Sequence, residues 1–122
     1  MNKYSGTDKD IHVRIHRLVV NCFVNVIRVI PKSTENIPII KQISASLTSM
    51  GANDQEANAA DSNRDFIAKY VIVKKETKET IYWLTFLKDT NIIKPESIDP
   101  FICEAQEILL IVNKIIQNSK SH

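Results

Sequence analysis

The segment Ile11–Ile30 is apolar at almost every position, and its polar exceptions, Arg14, Arg17, Asn21, Asn25 and Arg28, recur at intervals of three and four. At 100° per residue they fall on one stripe about 80° wide, which predicts a helix. Asp8 or Asp10 is placed to cap its start, and Pro31 stops it, because proline disfavours helix at the residue it follows. The remaining apolar arc covers well over half the circumference, wider than the ~100° face that one intramolecular core takes up. Part of this surface must be covered either by a partner subunit or by neighbours surrounding a central helix.

Three more helices follow. After the polar link Lys32–Asn36, Pro38 suits the first turn of a helix over about 37–60, where its missing N–H costs nothing. Ile39, Ile40, Ile43 and Leu47 open its core face, and a run of small residues around Gly51 suits close approach by a neighbouring backbone. Ser62 reads as the N-cap of a helix over about 63–89, with Asp65 favourable to its dipole and Phe66, Tyr70, Val73, Thr77, Ile81 and Leu84 as its core stripe. Asp99-Pro100 reads as the cap and first turn of a last helix over about 99–118, with Ile102, Ala105, Ile108, Leu109, Val112, Ile115 and Ile116 buried. On this reading all four prolines stand at helix boundaries. Four amphipathic helices on short links define an all-α, antiparallel, up-and-down four-helix bundle, a single domain over 1–122.

The 122 residues suffice for one core, and 43% apolar with 25% charged is the balance of a globular chain. Only Gly6 and Gly51 are glycines, so no Walker loop or Gly-x-Gly fingerprint can be written. The net charge of +2 is too small to predict nucleic-acid or membrane binding by itself, although its sign alternates by segment. Cys22 and Cys103, far apart in apolar runs, read as two small buried hydrophobes in a reducing compartment. Met1–Asp10 lacks an apolar signal core and no run approaches the ~18–20 residues of a membrane span, so the expectation is a cytoplasmic protein with no membrane partner.

The centre of the chain carries a longer pattern: Ser49-Met50-Gly51-Ala52-Asn53, Glu56-Ala57, Ala60, Ser62, Asp65-Phe66-Ile67, Lys69, Ile72, Lys75-Glu76, Glu79-Thr80 and Tyr82-Trp83-Leu84. It resembles the four-helix-bundle proteins encoded within intervening sequences of bacterial 23S ribosomal RNA genes. Ile30-Pro31 resembles that family's Leu-Pro stop and Glu104–Ile108 its last helix, so the likeness spans roughly 10–117. The resemblance implies a left-handed antiparallel bundle, a ring-shaped homo-oligomer that is commonly a pentamer, and a generally unassigned function. Related bundles are reverse-transcriptase accessory subunits of diversity-generating retroelements, where a basic ring contacts nucleic acid. This chain departs from the pattern at Ala45, where an arginine is frequent, at Gln55, which replaces a basic residue and follows Asp54, and at Lys74, which replaces a leucine.

The chemistry-bearing residues are few. His12 and His16 have the i,i+4 spacing of a helical metal pair but lack further ligands other than a terminal His122, and no Glu-x-x-His of a di-iron bundle is present. No metal or cofactor is implied, and no nucleophile or phosphate loop supports an enzyme. Asn53, Glu56, Lys69, Lys75 and Glu76 are expected to form an interhelical polar network. Arg14, Arg17, Arg28 and Lys32 are the cations that could track a phosphate backbone. Phe23, Val24 and Ile27, with Val13 and Val20 beside them and Tyr82 and Trp83 on the third helix, are the candidate oligomer contact. Two functions remain: a non-enzymatic homo-oligomeric scaffold, and a nucleic-acid accessory protein with RNA, DNA or a reverse transcriptase as partner.

Overall fold

The computed structural model describes residues 8–121, with side chains from residue 11 onward. Helices α1 (Asp8–Asn25), α2 (Ile37–Asn58), α3 (Asn63–Asp89) and α4 (Pro95–Lys120) form an up-and-down bundle, and no strand occurs among the described residues. Each helix packs on the next and α1 closes the square against α4, while the diagonal pairs make no comparable approach. The proposed Asp8 or Asp10 cap of α1 lies outside the described side chains. No described helix is long and apolar enough to cross a membrane.

The first helix ends earlier than its periodicity predicts. Regular α-helix stops at Asn25, and Ile27–Val29 form a 3-10 turn closed by Val29 N–H to Val26 O (3.1 Å) and Ile30 N–H to Ile27 O (3.2 Å). The backbone departs from regular helix at Val26 (φ −117°), and beyond it Ile27 and Ile30 are buried in the core while Arg28 and Val29 are exposed.

The start of α4 is the second correction. Lys94 is the N-cap and Pro95 the first helical residue, so Pro100 lies inside the helix and Asp99 caps nothing. Pro100 has no N–H for the carbonyl of Glu96, but that carbonyl belongs to an exposed residue of the first turn, where water can serve it. Beginning the helix at Pro95 brings Ile98 into the core and Asp99 Oδ1 to 2.8 Å from Lys88 Nζ. That ion pair raises the Lys88 pKa above its ordinary value.

The other boundaries follow local chemistry. Ser62 Oγ accepts from Asp65 N–H at 3.1 Å, as an N-cap should. At the end of α3, Ile92 N–H reaches Leu87 O (3.1 Å) and Asn91 N–H reaches Lys88 O (3.0 Å), with Asn91 at φ 60°. This is a Schellman stop in which asparagine takes the left-handed position usually held by glycine. Between α2 and α3 the seam is closed by Thr80 donating to Ser46 Oγ at 2.9 Å, both buried. At Gly51 the nearest atom to an added Cβ is the Val19 side chain, at 3.4 Å, so the neighbour there is a side chain and not the backbone expected from the sequence. Cys22 is buried, and burial pushes its thiol pKa up to about 12. Cys103 is exposed, on the side of α4 away from its core stripe, contrary to the expectation that both cysteines are buried.

Candidate functional site

The most unusual chemistry sits where α1, α2 and α3 converge. Asp54 on α2 is only 1% exposed, in a position that a small polar-rich stretch of sequence gives no reason to single out. His12 Nδ1 lies 2.7 Å from Asp54 Oδ1, and the Tyr70 hydroxyl donates to the same oxygen at 2.7 Å. An ionised carboxylate only accepts, so Nδ1 carries the hydrogen of that bond. Asp54 Oδ2 is buried with no hydrogen-bond partner among the described residues. Phe66 stacks on Tyr70 at 4.7 Å and the His12 ring meets Tyr70 edge-on at 6.4 Å, so the network is walled by aromatic surface. A carboxylate so placed is costly unless its partners stay put, which fixes how α1 sits on α2 and α3.

Beside this network an open groove of about 440 Å³ runs along α1, lined by His12, Val13, His16, Arg17, Val20 and Asn21, with Gln55 of α2 opposite. A smaller hollow of about 250 Å³ shares His16 and Gln55 with it and reaches Gly51 and Asp54. His12 and His16, spaced for a helical metal pair, thus lie in different environments, one nearly buried and tied to Asp54, the other exposed. No group of three or more metal-ligating side chains occurs among the described residues.

The sequence-derived polar network is assembled only in part. Lys69 Nζ and Glu56 Oε1 meet at 2.6 Å across α2 and α3, on the surface. Asn53 instead donates to Ser49 O (2.8 Å) within its own helix. Lys75 is exposed and Glu76 half-buried, and neither bridges helices among the described residues. The buried crossings are made by His12, Asp54 and Tyr70 and by Ser46 and Thr80.

The four candidate cations are also divided. Arg14 is committed: Nε donates to Glu104 Oε2 (3.0 Å), and Nη2 donates to Glu104 Oε1 and Glu107 Oε1, each at 2.7 Å. Glu104 above all holds the guanidinium more firmly protonated than usual. Two carboxylates leave it no surplus charge for phosphate, which corrects its place in the stripe. Arg17, Arg28 and Lys32 are exposed, but they lie on α1, the 3-10 turn and the following link respectively.

The apolar candidates sort by exposure. Ile27 is buried within the chain, and Phe23 and Trp83 pack partly against the core, so Ile27 is withdrawn as a contact residue. Val24 remains 44% exposed and Tyr82 58%, and the 3-10 turn adds Val29 at 57%. Tyr82 stands edge-on to Trp83 at 4.9 Å, the outermost ring of a cluster that includes Phe86.

An up-and-down helical bundle with a buried carboxylate at one end and apolar side chains left on the first helix is the class these features define. The chain belongs to the 23S rRNA-intervening sequence protein family, whose profile it matches over residues 7–114. Its structure is similar to a crystal structure from Bacteroides thetaiotaomicron described as a protein of unknown function from the S23 ribosomal protein family. The two share 34% identity and a TM-score of 0.81, over 90% of this chain and 97% of that one. No curated protein shows significant similarity to this chain.

Proposed function

We propose that this protein is a non-enzymatic scaffold or interaction module that works as a homo-oligomer, with a ring of five as the closure that its family resemblance implies. The observation that supports this most is the exposure of Val24, Val29 and Tyr82 after the core has been filled. Val24 and Val29 lie on the first helical segment and Tyr82 on α3, the diagonal helix, so copies that cover one patch with the other make the head-to-tail contact a closed ring requires. Light scattering at micromolar concentration should return a multiple of the 13.9 kDa chain mass. Val24→Asp and Tyr82→Asp should each lower that mass without loss of helicity, and a monomeric wild type would refute the proposal.

The alternative, a nucleic-acid accessory role, keeps the exposed Arg17, Arg28 and Lys32 in its favour. With few phosphates neutralised per subunit, binding of this kind is weak, insensitive to sequence and steeply salt-dependent. A ring could multiply such contacts through avidity.

A further inference from the structure

We infer that the groove beside His12 is a binding site for a small phosphate monoester carrying a short apolar group. Its polar wall includes three nitrogen-bearing side chains, Arg17, His16 and Gln55, without side-chain partners among the described residues. Arg17 makes no ion pair or hydrogen bond among the described residues, although Arg14, three residues earlier, is held by two carboxylates. His16 and Gln55 likewise hold no side-chain partner there. No carboxylate among the described residues lines this groove. An uncommitted guanidinium flanked by an imidazole and a carboxamide is suited to an oxyanion with several acceptor oxygens.

The buried network makes the site more than an exposed arginine. Asp54 holds Nδ1 of His12, which fixes the ring and leaves Nε2, on a residue that lines the groove, without a partner among the described residues. With Nδ1 protonated, Nε2 accepts a hydrogen bond when the ring is neutral and donates one when it is charged. A phosphate monoester, whose second ionisation lies near pH 6, can share a proton with such a nitrogen in either form, whereas a carboxylate at neutral pH offers acceptors alone. Val13 and Val20 supply an apolar floor, and the volume of about 440 Å³ is that of a small-molecule site. Val20 of the groove lies one helical turn from Val24 of the proposed contact, so occupancy is read on Arg17 and Gln55 and assembly on Val24 and Tyr82.

Phenyl phosphate titrated into the full chain at about 0.15 M salt, followed by NMR, tests the inference. The expected result is saturable shifts confined to His12, His16, Arg17 and Gln55. Arg17→Gln should weaken binding at least about tenfold, because a charge-assisted bond is lost. Gln55→Glu, which sets a carboxylate on the opposite wall and leaves Arg17 intact, should weaken it similarly, while Lys114→Gln on α4 should leave it unchanged. Non-saturating shifts, or equal affinity in Arg17→Gln and wild type, would overturn the site. Benzoate binding as tightly as phenyl phosphate would overturn the phosphate class, and inorganic phosphate binding as tightly would overturn the apolar portion. Displacement by an oligoribonucleotide lacking a terminal phosphate, with a steep salt slope, would reassign Arg17 to a general polyanion surface.

Discussion

The two buried polar crossings in this bundle hold their helices by different means. Between α2 and α3, Thr80 and Ser46 meet hydroxyl to hydroxyl, and Thr80 is a donor to a neutral acceptor in the most extensively packed seam of the molecule. Between α1 and its neighbours, a carboxylate at 1% exposure gathers an imidazole and a phenol. The neutral pair can be lost at small cost, since net hydrogen-bond contributions run near 1 kcal/mol. The charged one cannot, because removing a partner strands a desolvated group. Where packing is broad, a modest polar link is enough; where a helix packs less, as α1 does, the specification falls to electrostatics.

Deleting the carboxylate should break that contrast most strongly. Asp54→Ala leaves the His12 ring and the Tyr70 hydroxyl without their shared acceptor and should cost about 3–5 kcal/mol, the range for breaking a buried pair. Hydrogen exchange should show α1 loosening before the α2–α3 seam, whereas Thr80→Val should cost only about 1 kcal/mol and spare α1. Uniform loosening of all four helices by Asp54→Ala would remove the distinction drawn between the two crossings.

The second tie on α1 is the clamp on α4. Arg14→Ala frees Glu104 and Glu107 from a half-screened contact, and we expect a loss of about 1–2 kcal/mol by denaturant titration, above the usual surface pair because two carboxylates and a fork of three hydrogen bonds are involved. At the small end, Gly51→Ala should stabilise by about 0.5–1 kcal/mol, since helix propensity improves and the new methyl meets Val19 at an ordinary van der Waals distance. Destabilisation there would mean that α1 and α2 are packed more rigidly than the 3.4 Å approach indicates.

Local signals were legible in the sequence because each is written within a few residues. Ser62 with Asp65, Pro38 behind its polar link, and the stripe Tyr70–Val73–Thr77–Leu84 all fall where spacing places them. The 3-10 turn after Asn25 escaped because an apolar run keeps its period even when the winding tightens. Pro100 misled because a proline at the sixth position of a helix looks like one at the first, and only the burial of Ile98 decides between them. The carboxylate network was hidden for another reason: Asp54 lies 42 residues from His12 and 16 from Tyr70. In the sequence Asp54 is only the neighbour of Gln55, where the family pattern is broken, and Tyr70 only a core position, and nothing local joins them. Glu56 drew attention by its small neighbours and did reach Lys69, yet at the surface, where such pairs contribute about 0–1 kcal/mol.

The clamp between Arg14 and Glu104 also bears on the order in which the chain closes. Its partners are 90 residues apart in sequence, against 13 for Glu56 and Lys69. For a flexible chain the entropy of bringing ends together grows with the logarithm of the loop, so this contact costs about 1.7 kcal/mol more to close than the hairpin pair. The α2–α3 and α3–α4 hairpins have no such burden, and joining the two ends of the chain falls to the last step of folding. Until then the side of α1 that packs on α4 is uncovered, so in a crowded solution that side can meet α4 of its own chain or a neighbouring molecule.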